Sequence, residues 1–268
     1  MSADTPRGVA IRKILLPLQT ANTAESVCST AALTARMWSA HLAVLHVGSN
    51  KDRANSLRDQ VTRVLAQHGL AVTDTEPDST LPKATFTVVT GQEPEIVAQQ
   101  ARLTDLVVVP HPASDKEVSS SDALHAALFD SAKPILIAPA AAPSAIGRKI
   151  CVGWNGTAES ASAVLAALPW LERAEAIRIL WSEDYQRRGP LAPELQQYLA
   201  MHDITTDRAA FAPEQNGVGA GLLAAANDFG CDLLVMGAYS HSRLRQLFLG
   251  GVTRHVLERA AIPVLMHR

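Results

Sequence analysis

The chain has 268 residues, 47% hydrophobic and 19% charged, the balance of a globular protein with a sizeable core and not of a disordered one. Its 24 Lys and Arg against 26 Asp and Glu leave a formal charge of -2 without any Lys/Arg-rich run, so the electrostatic footprint of a nucleic-acid binder is missing. No long apolar stretch follows a basic segment at the start, so no signal peptide or membrane-spanning helix is indicated and a cytoplasmic location is expected.

In chain order, Arg12 to Leu18 (RKILLPL) is a basic-then-apolar strand, followed by an alanine-rich helical pattern from Ala24 to Ser39 and a strand from His41 to Val47. A helix, a strand at Thr85 to Val89 and a helix near Pro94 to Ala101 lead into the buried runs Asp105-Leu-Val-Val-Val109 and Lys133-Pro-Ile-Leu-Ile137. The segment Pro139 to Gly147 reads as a linker, and the pattern then begins again. Arg148 to Trp154 (RKICVGW) repeats the first strand. Ala158 to Leu168 repeats its helix, and Ala176 to Trp181 the second strand. Ile204 to Phe211 reads as the third strand and Gly219 to Phe229 as the next helix. Asp232-Leu-Leu-Val-Met236 and Ile262-Pro-Val-Leu-Met266 close the second copy.

Continuous Val/Ile/Leu runs alternating with helices are what a parallel sheet covered on both faces requires. The expected fold is therefore α/β: two tandem Rossmann-like domains, residues 1–143 and 144–268. Each is expected to be a five-stranded parallel sheet of order 3-2-1-4-5 with helices on both faces. The two fifth strands are expected side by side, since each half then covers the other's sheet edge. Cys28, Cys151 and Cys231 lie far apart in apolar surroundings, as reduced core cysteines do. The nine histidines show no zinc-ligand spacing.

In an open parallel sheet, ligands collect beyond the carboxyl ends of the strands, which directs attention to the loop after each fourth strand. In the second half it reads GAYSHSRLRQLFLGGVT, Gly237 to Thr253, directly after the strand ending in Met236. This loop resembles the phosphate-binding signature of ATP-binding universal stress proteins: two glycines three apart, then nine residues, then a glycine and a hydroxyl residue. Gly237 fits the first glycine and Gly250 the third, with the nine residues His241 to Leu249 between Ser240 and Gly250. Ser240 stands at the second glycine and Gly251 at the hydroxyl position. Gly250 and Gly251 would let amides approach a phosphate, and Val252 and Thr253 continue into a helix whose dipole favours an anion. Gly237 would turn the chain off its strand. His241, Arg243 and Arg245 either supply positive charge or are solvated loop residues.

The resemblance implies the family's adenine nucleotide alpha hydrolase-like fold and further contacts from Gly153, Trp154, Asn155, Trp181, Met236 and Tyr239. Asn155 stands where the family carries an acidic residue near the adenosine, so it brings a hydrogen bond but no charge to the ribose or metal. Trp181, where the family has a small aliphatic residue, either stacks on adenine or packs in the core. The implied ligand is ATP, ADP or AMP with Mg2+ as a companion. The implied role is stress-response regulation through an unidentified protein partner or a homodimer of the tandem chain. No residue is obviously catalytic and no GxxxxGK[ST] string is present; slow ATP hydrolysis would need a base near the γ-phosphate, for which His241 is the nearby candidate. The other reading of the same residues is a ligand-free interaction scaffold, with the glycines as strand exit and helix entry.

The first half departs from the signature. Pro110 and Pro112 replace the permissive glycine and delete amide donors. Between the strand exit and the fifth-strand proline there are 24 positions, against 26 in the second half. Asp122 falls at Gly251, and Gln19 at Asn155. One nucleotide per chain is therefore expected, in the second half.

Overall fold

The computed structural model describes residues 10–74, 83–111, 119–187, 189–238 and 251–268. Strands and helices alternate as the apolar runs require: β1 (Lys13–Pro17), α1 (Ala24–Trp38), β2 (His41–Val47), α2 (Lys51–Gln67), β3 (Val72–Thr73), β4 (Ala84–Val89), α3 (Glu93–Ala101), β5 (Leu106–Val109), α4 (Ser119–Asp130) and β6 (Ile135–Ile137). The second copy runs β7 (Lys149–Gly153), α5 (Ala158–Leu171), β8 (Ala176–Trp181), α6 (Ala192–Ala200), β9 (Asp207–Ala210), α7 (Val218–Asp228), β10 (Leu233–Gly237), α8 (Gly251–Arg259) and β11 (Val264–His267).

The strand order is β3-β4-β2-β1-β5-β6-β11-β10-β7-β8-β9. Leaving aside the two-residue β3, each half has the expected 3-2-1-4-5 order, and all pairs are parallel except the central one. There β6 and β11, the fifth strands, pair antiparallel with Leu136 opposite Leu265. The two expected five-stranded sheets are thus one eleven-stranded sheet, because joining the fifth strands satisfies backbone groups that two open edges would leave exposed.

Side-chain alternation along the central strands sorts the core into two layers. Ile14, Leu16, Val108, Leu136, Ile150, Val152, Val235 and Leu265 meet α1, α2, α5 and α6 on one face. Leu15, Val107, Val109, Ile137, Leu234, Met236 and Met266 meet α3, α4, α7 and α8 on the other. Both layers draw residues from both halves, so the join is core and not contact surface. Trp38 of α1 meets Trp170 of α5 edge to face across it, centroids 5.7 Å apart, and the Arg173 guanidinium lies 4.7 Å from the Trp38 ring centroid. Between the halves Gly147 has φ +76°, and a Cβ there would sit 2.8 Å from the Trp170 ring.

The repeat extends to hydrogen bonds. Asp105 accepts from the backbone N–H of Arg12 (2.8 Å) and Lys13 (2.9 Å), and Asp232 accepts from those of Arg148 (2.9 Å) and Lys149 (3.0 Å). Each carboxylate ties the start of the fourth strand to the start of the first.

Two ends differ from expectation. The third strand of the second half begins at Asp207, not Ile204: Ile204 is buried under α6, its N–H bonded to Leu199 O (3.1 Å) after Asp203 takes φ +59°. And α5 continues through Pro169 to Leu171, since buried Trp170 and Leu171 anchor its last turn. The three cysteines are free and buried, and burial pushes the Cys28 thiol up to about 12.

Candidate functional site

The chain leaves β7 into α5 on one face of the sheet and leaves β10 toward α8 on the other. The carboxyl ends of these neighbouring parallel strands therefore form the crevice of a topological switch point. Helix N-termini face the same end of the sheet, presenting N–H groups that the helices themselves do not use.

On the β7 side, Gly153 ends the strand, and a Cβ there would make ordinary contacts with Leu222 and Met236. Trp154 turns into the core, 4% exposed, and its Nε1 donates to Pro190 O at 2.9 Å. Asn155 is buried; its Oδ1 accepts the Thr157 N–H (3.2 Å) and hydroxyl (3.0 Å), while its carbonyl accepts the Arg187 N–H (2.8 Å). Thr157 caps α5, accepting the Ser160 N–H at 3.2 Å.

On the β10 side, Met236 is buried opposite Gly153, and Gly237 pairs with His267. A Cβ on Gly237 would lie 2.5 Å from Ser160 N and 2.6 Å from Glu159 C. The sequence suggests glycine here for a sharp turn, but Gly237 is not among the positive-φ residues; it makes room for the first turn of α5. Gly251 opens α8 exposed, with no atom of the described residues within 4 Å of where a Cβ would stand, followed by half-buried Val252 and buried Thr253. Trp181 ends β8 half-buried against the α5/α6 layer. Tyr239, Ser240, His241 and Gly250, like Arg243 and Arg245, lie outside the described residues.

The structure adds a strap that sequence reasoning missed. Residues 182–187 and 189–190, after β8, cross the β7–α5 turn. Tyr185 anchors the strap in the core beside Phe211 (centroids 6.0 Å apart), and burial raises its phenol well above the ordinary value. Gly156 has φ +77°; a Cβ on Gly189 would fall 1.9 Å from Gly156 O, so the two backbones cross where only glycines fit. The signals available in the sequence were the Gly189-Pro190 and Asn155-Gly156 dipeptides.

The equivalent place in the first half is built differently. Half-buried Pro110 and buried His111 follow β5, and burial lowers the His111 pKa. Gln19 O accepts from Arg53 Nη2 (3.2 Å) and Ala21 O from Gln60 Nε2 (3.0 Å), so α2 holds down the β1–α1 turn. Pro112 is outside the described residues, and nothing is described of the Asp122 side chain.

Among the described residues no group of three His, Cys, Asp or Glu side chains is placed to hold a metal ion, and no helix is long and apolar enough to cross a membrane.

A largely parallel doubly wound sheet, repeated in tandem, with helix N-termini at a switch-point crevice, defines an α/β protein of the kind that takes ligands beyond its strand ends. Residues 147–268 match the model of the Universal stress protein family. A 41-residue stretch is 51% identical to universal stress protein Slr1230 of Synechocystis sp., spanning 15% of this chain and 14% of that relative. The solved universal stress protein from Archaeoglobus fulgidus DSM 4304 is 12% identical, with a TM-score of 0.71 and 96% of each chain covered. A proposed universal stress protein from Pseudomonas aeruginosa UCBPP-PA14 is 18% identical, with a TM-score of 0.61 over 96% of this chain and 93% of that one. The shared fold thus runs through the first half as well as the second.

Proposed function

We propose that the second half binds an adenine nucleotide, ATP among them, in the crevice between the ends of β7 and β10, and that this binding serves regulation and not turnover. The observation that carries the reading is the start of α8. Among the described residues no atom crowds exposed Gly251, which opens a helix that follows the loop resembling the family's phosphate signature, where helix amides and the helix dipole suit a phosphate. The first half supports the fold without a site of this kind, so one nucleotide per chain is expected. No side chain is assigned a catalytic role.

A ligand-free scaffold is the second reading, favoured by the strap, which closes over the turn where Asn155 lies. Mass spectrometry of small molecules released from freshly purified, heat-denatured protein separates the two. An adenine nucleotide recovered near one equivalent supports binding. No nucleotide released, together with no ATP uptake in equilibrium dialysis, leaves the scaffold.

A further inference from the structure

We infer that the second-half crevice takes its nucleotide without a divalent cation, an inference that rests on the nucleotide reading above. Mg2+ requires oxygen ligands, ordinarily a carboxylate or two beside phosphates and waters. At the turn after β7 the side chain is Asn155, whose acceptor atom is already engaged: Oδ1 takes two hydrogen bonds from Thr157, at 3.2 Å and 3.0 Å. An amide oxygen has two lone pairs, so both are committed. What Asn155 has left is Nδ2, a donor that repels a cation and suits a phosphate or ribose oxygen.

The surroundings do not replace the missing ligand. Glu183, Asp184 and Glu214, on the loops beyond β8 and β9, are exposed. Glu159 is half-buried in the first turn of α5, where the helix dipole favours a carboxylate. Among the described residues none of them joins a group of three or more metal-ligating side chains. Residues 238–253 contain Arg243, Arg245 and His241 and no Asp or Glu at all. The residues present do not fit Mg2+. The Asn155 amide donor and the helix amides suit a bare nucleotide.

The experiment is isothermal titration of the full chain with ATP and with AMP, in MgCl2 and in EDTA. Affinities that agree within about threefold between the two buffers are expected. A loss of tenfold or more in EDTA overturns the inference while leaving nucleotide binding intact, and absence of binding in both buffers overturns both. Asn155→Asp keeps the acceptor for Thr157 and adds a charge. It is expected to weaken ATP about tenfold in EDTA and to recover with Mg2+. Unchanged ATP affinity of the folded variant in EDTA would place residue 155 away from the ligand and overturn the proposed role of Nδ2.

Discussion

The two halves of this molecule share a frame and differ in what the frame presents. Their sheets have one order, their first and fourth strands are tied by the same aspartate-to-amide bonds, and their cores are continuous through β6 and β11. At the carboxyl ends the similarity stops. The second half has Gly237 pressed against α5, an inward-turned Asn155 and a glycine-crossed strap; the first has Pro110, His111 and an α2 that clamps its own β1–α1 turn. The fold is specified by many apolar positions that back one another up, whereas the site depends on a few loop residues whose loss costs the fold little. One copy can therefore lose the site and remain as half of the core.

The largest expected effect tests how far the halves are one body. Trp170 is 1% exposed and packs on Trp38 of the other half. Trp170→Ala is expected to cost about 3–5 kcal/mol, with a single unfolding transition seen alike by circular dichroism and tryptophan fluorescence. Two separated transitions, with only one displaced, would show that the halves unfold independently.

Gly237 and Pro110 occupy matching strand exits with opposite demands. Gly237→Ala forces a Cβ into the backbone of Ser160 and is expected to cost about 1–3 kcal/mol in urea denaturation. Pro110→Ala alters chiefly the entropy of the unfolded chain, by less than about 1 kcal/mol. Equal costs at the two positions would erase the distinction between the exits.

What the sequence made legible follows the same division. Runs such as Leu106–Val109 and Leu233–Gly237 are buried on both faces, so their composition alone announces a parallel sheet. The pairing of β6 with β11 was legible too, because open edges need cover. The strap was not: Gly189-Pro190 and Asn155-Gly156 mark turns, but nothing in them says that the two backbones cross or that Arg187 N–H and Pro190 O meet the β7–α5 turn. Asn155 was legible as a neutral residue at an acidic position, but only the structure shows its oxygen turned to Thr157. Gly237 is singled out in the sequence for a sharp turn, whereas the structure shows it making room for the close approach of α5.

A further substitution turns the second half toward the first. Asp122 aligns with Gly251, and Gly251→Asp imposes that charge where space is open. A carboxylate at a helix N-terminus favours the helix, so stability is expected to stay within about 0.5 kcal/mol of the parent. Adenine-nucleotide affinity is expected to fall about tenfold or more by equilibrium dialysis, because the added charge opposes the phosphates. A folded variant that binds as before would remove the start of α8 from the site.

The smallest effect separates the halves by acid. Burial lowers the pKa of His111 and His68 in the first half, the latter with help from Arg36, and of His267 at the end of β11 in the second. The folded protein disfavours protonation of these rings relative to the unfolded chain, which protonates them near their ordinary value of 6.5. Below that value the unfolded state binds more protons than the folded one, so stability falls as pH falls. Above it neither state is protonated, and these groups contribute no slope. Melting temperature is therefore expected to be flat above about pH 7 and to decline toward about pH 5.5. Replacing His267 by Gln should remove only the second half's share of that decline, and replacing His68 and His111 together only the first half's. A melting temperature that does not change between those pH values would rule out the histidines as an acid-sensitive element. A decline abolished by His267→Gln alone would confine the sensitivity to the half that carries the proposed nucleotide site.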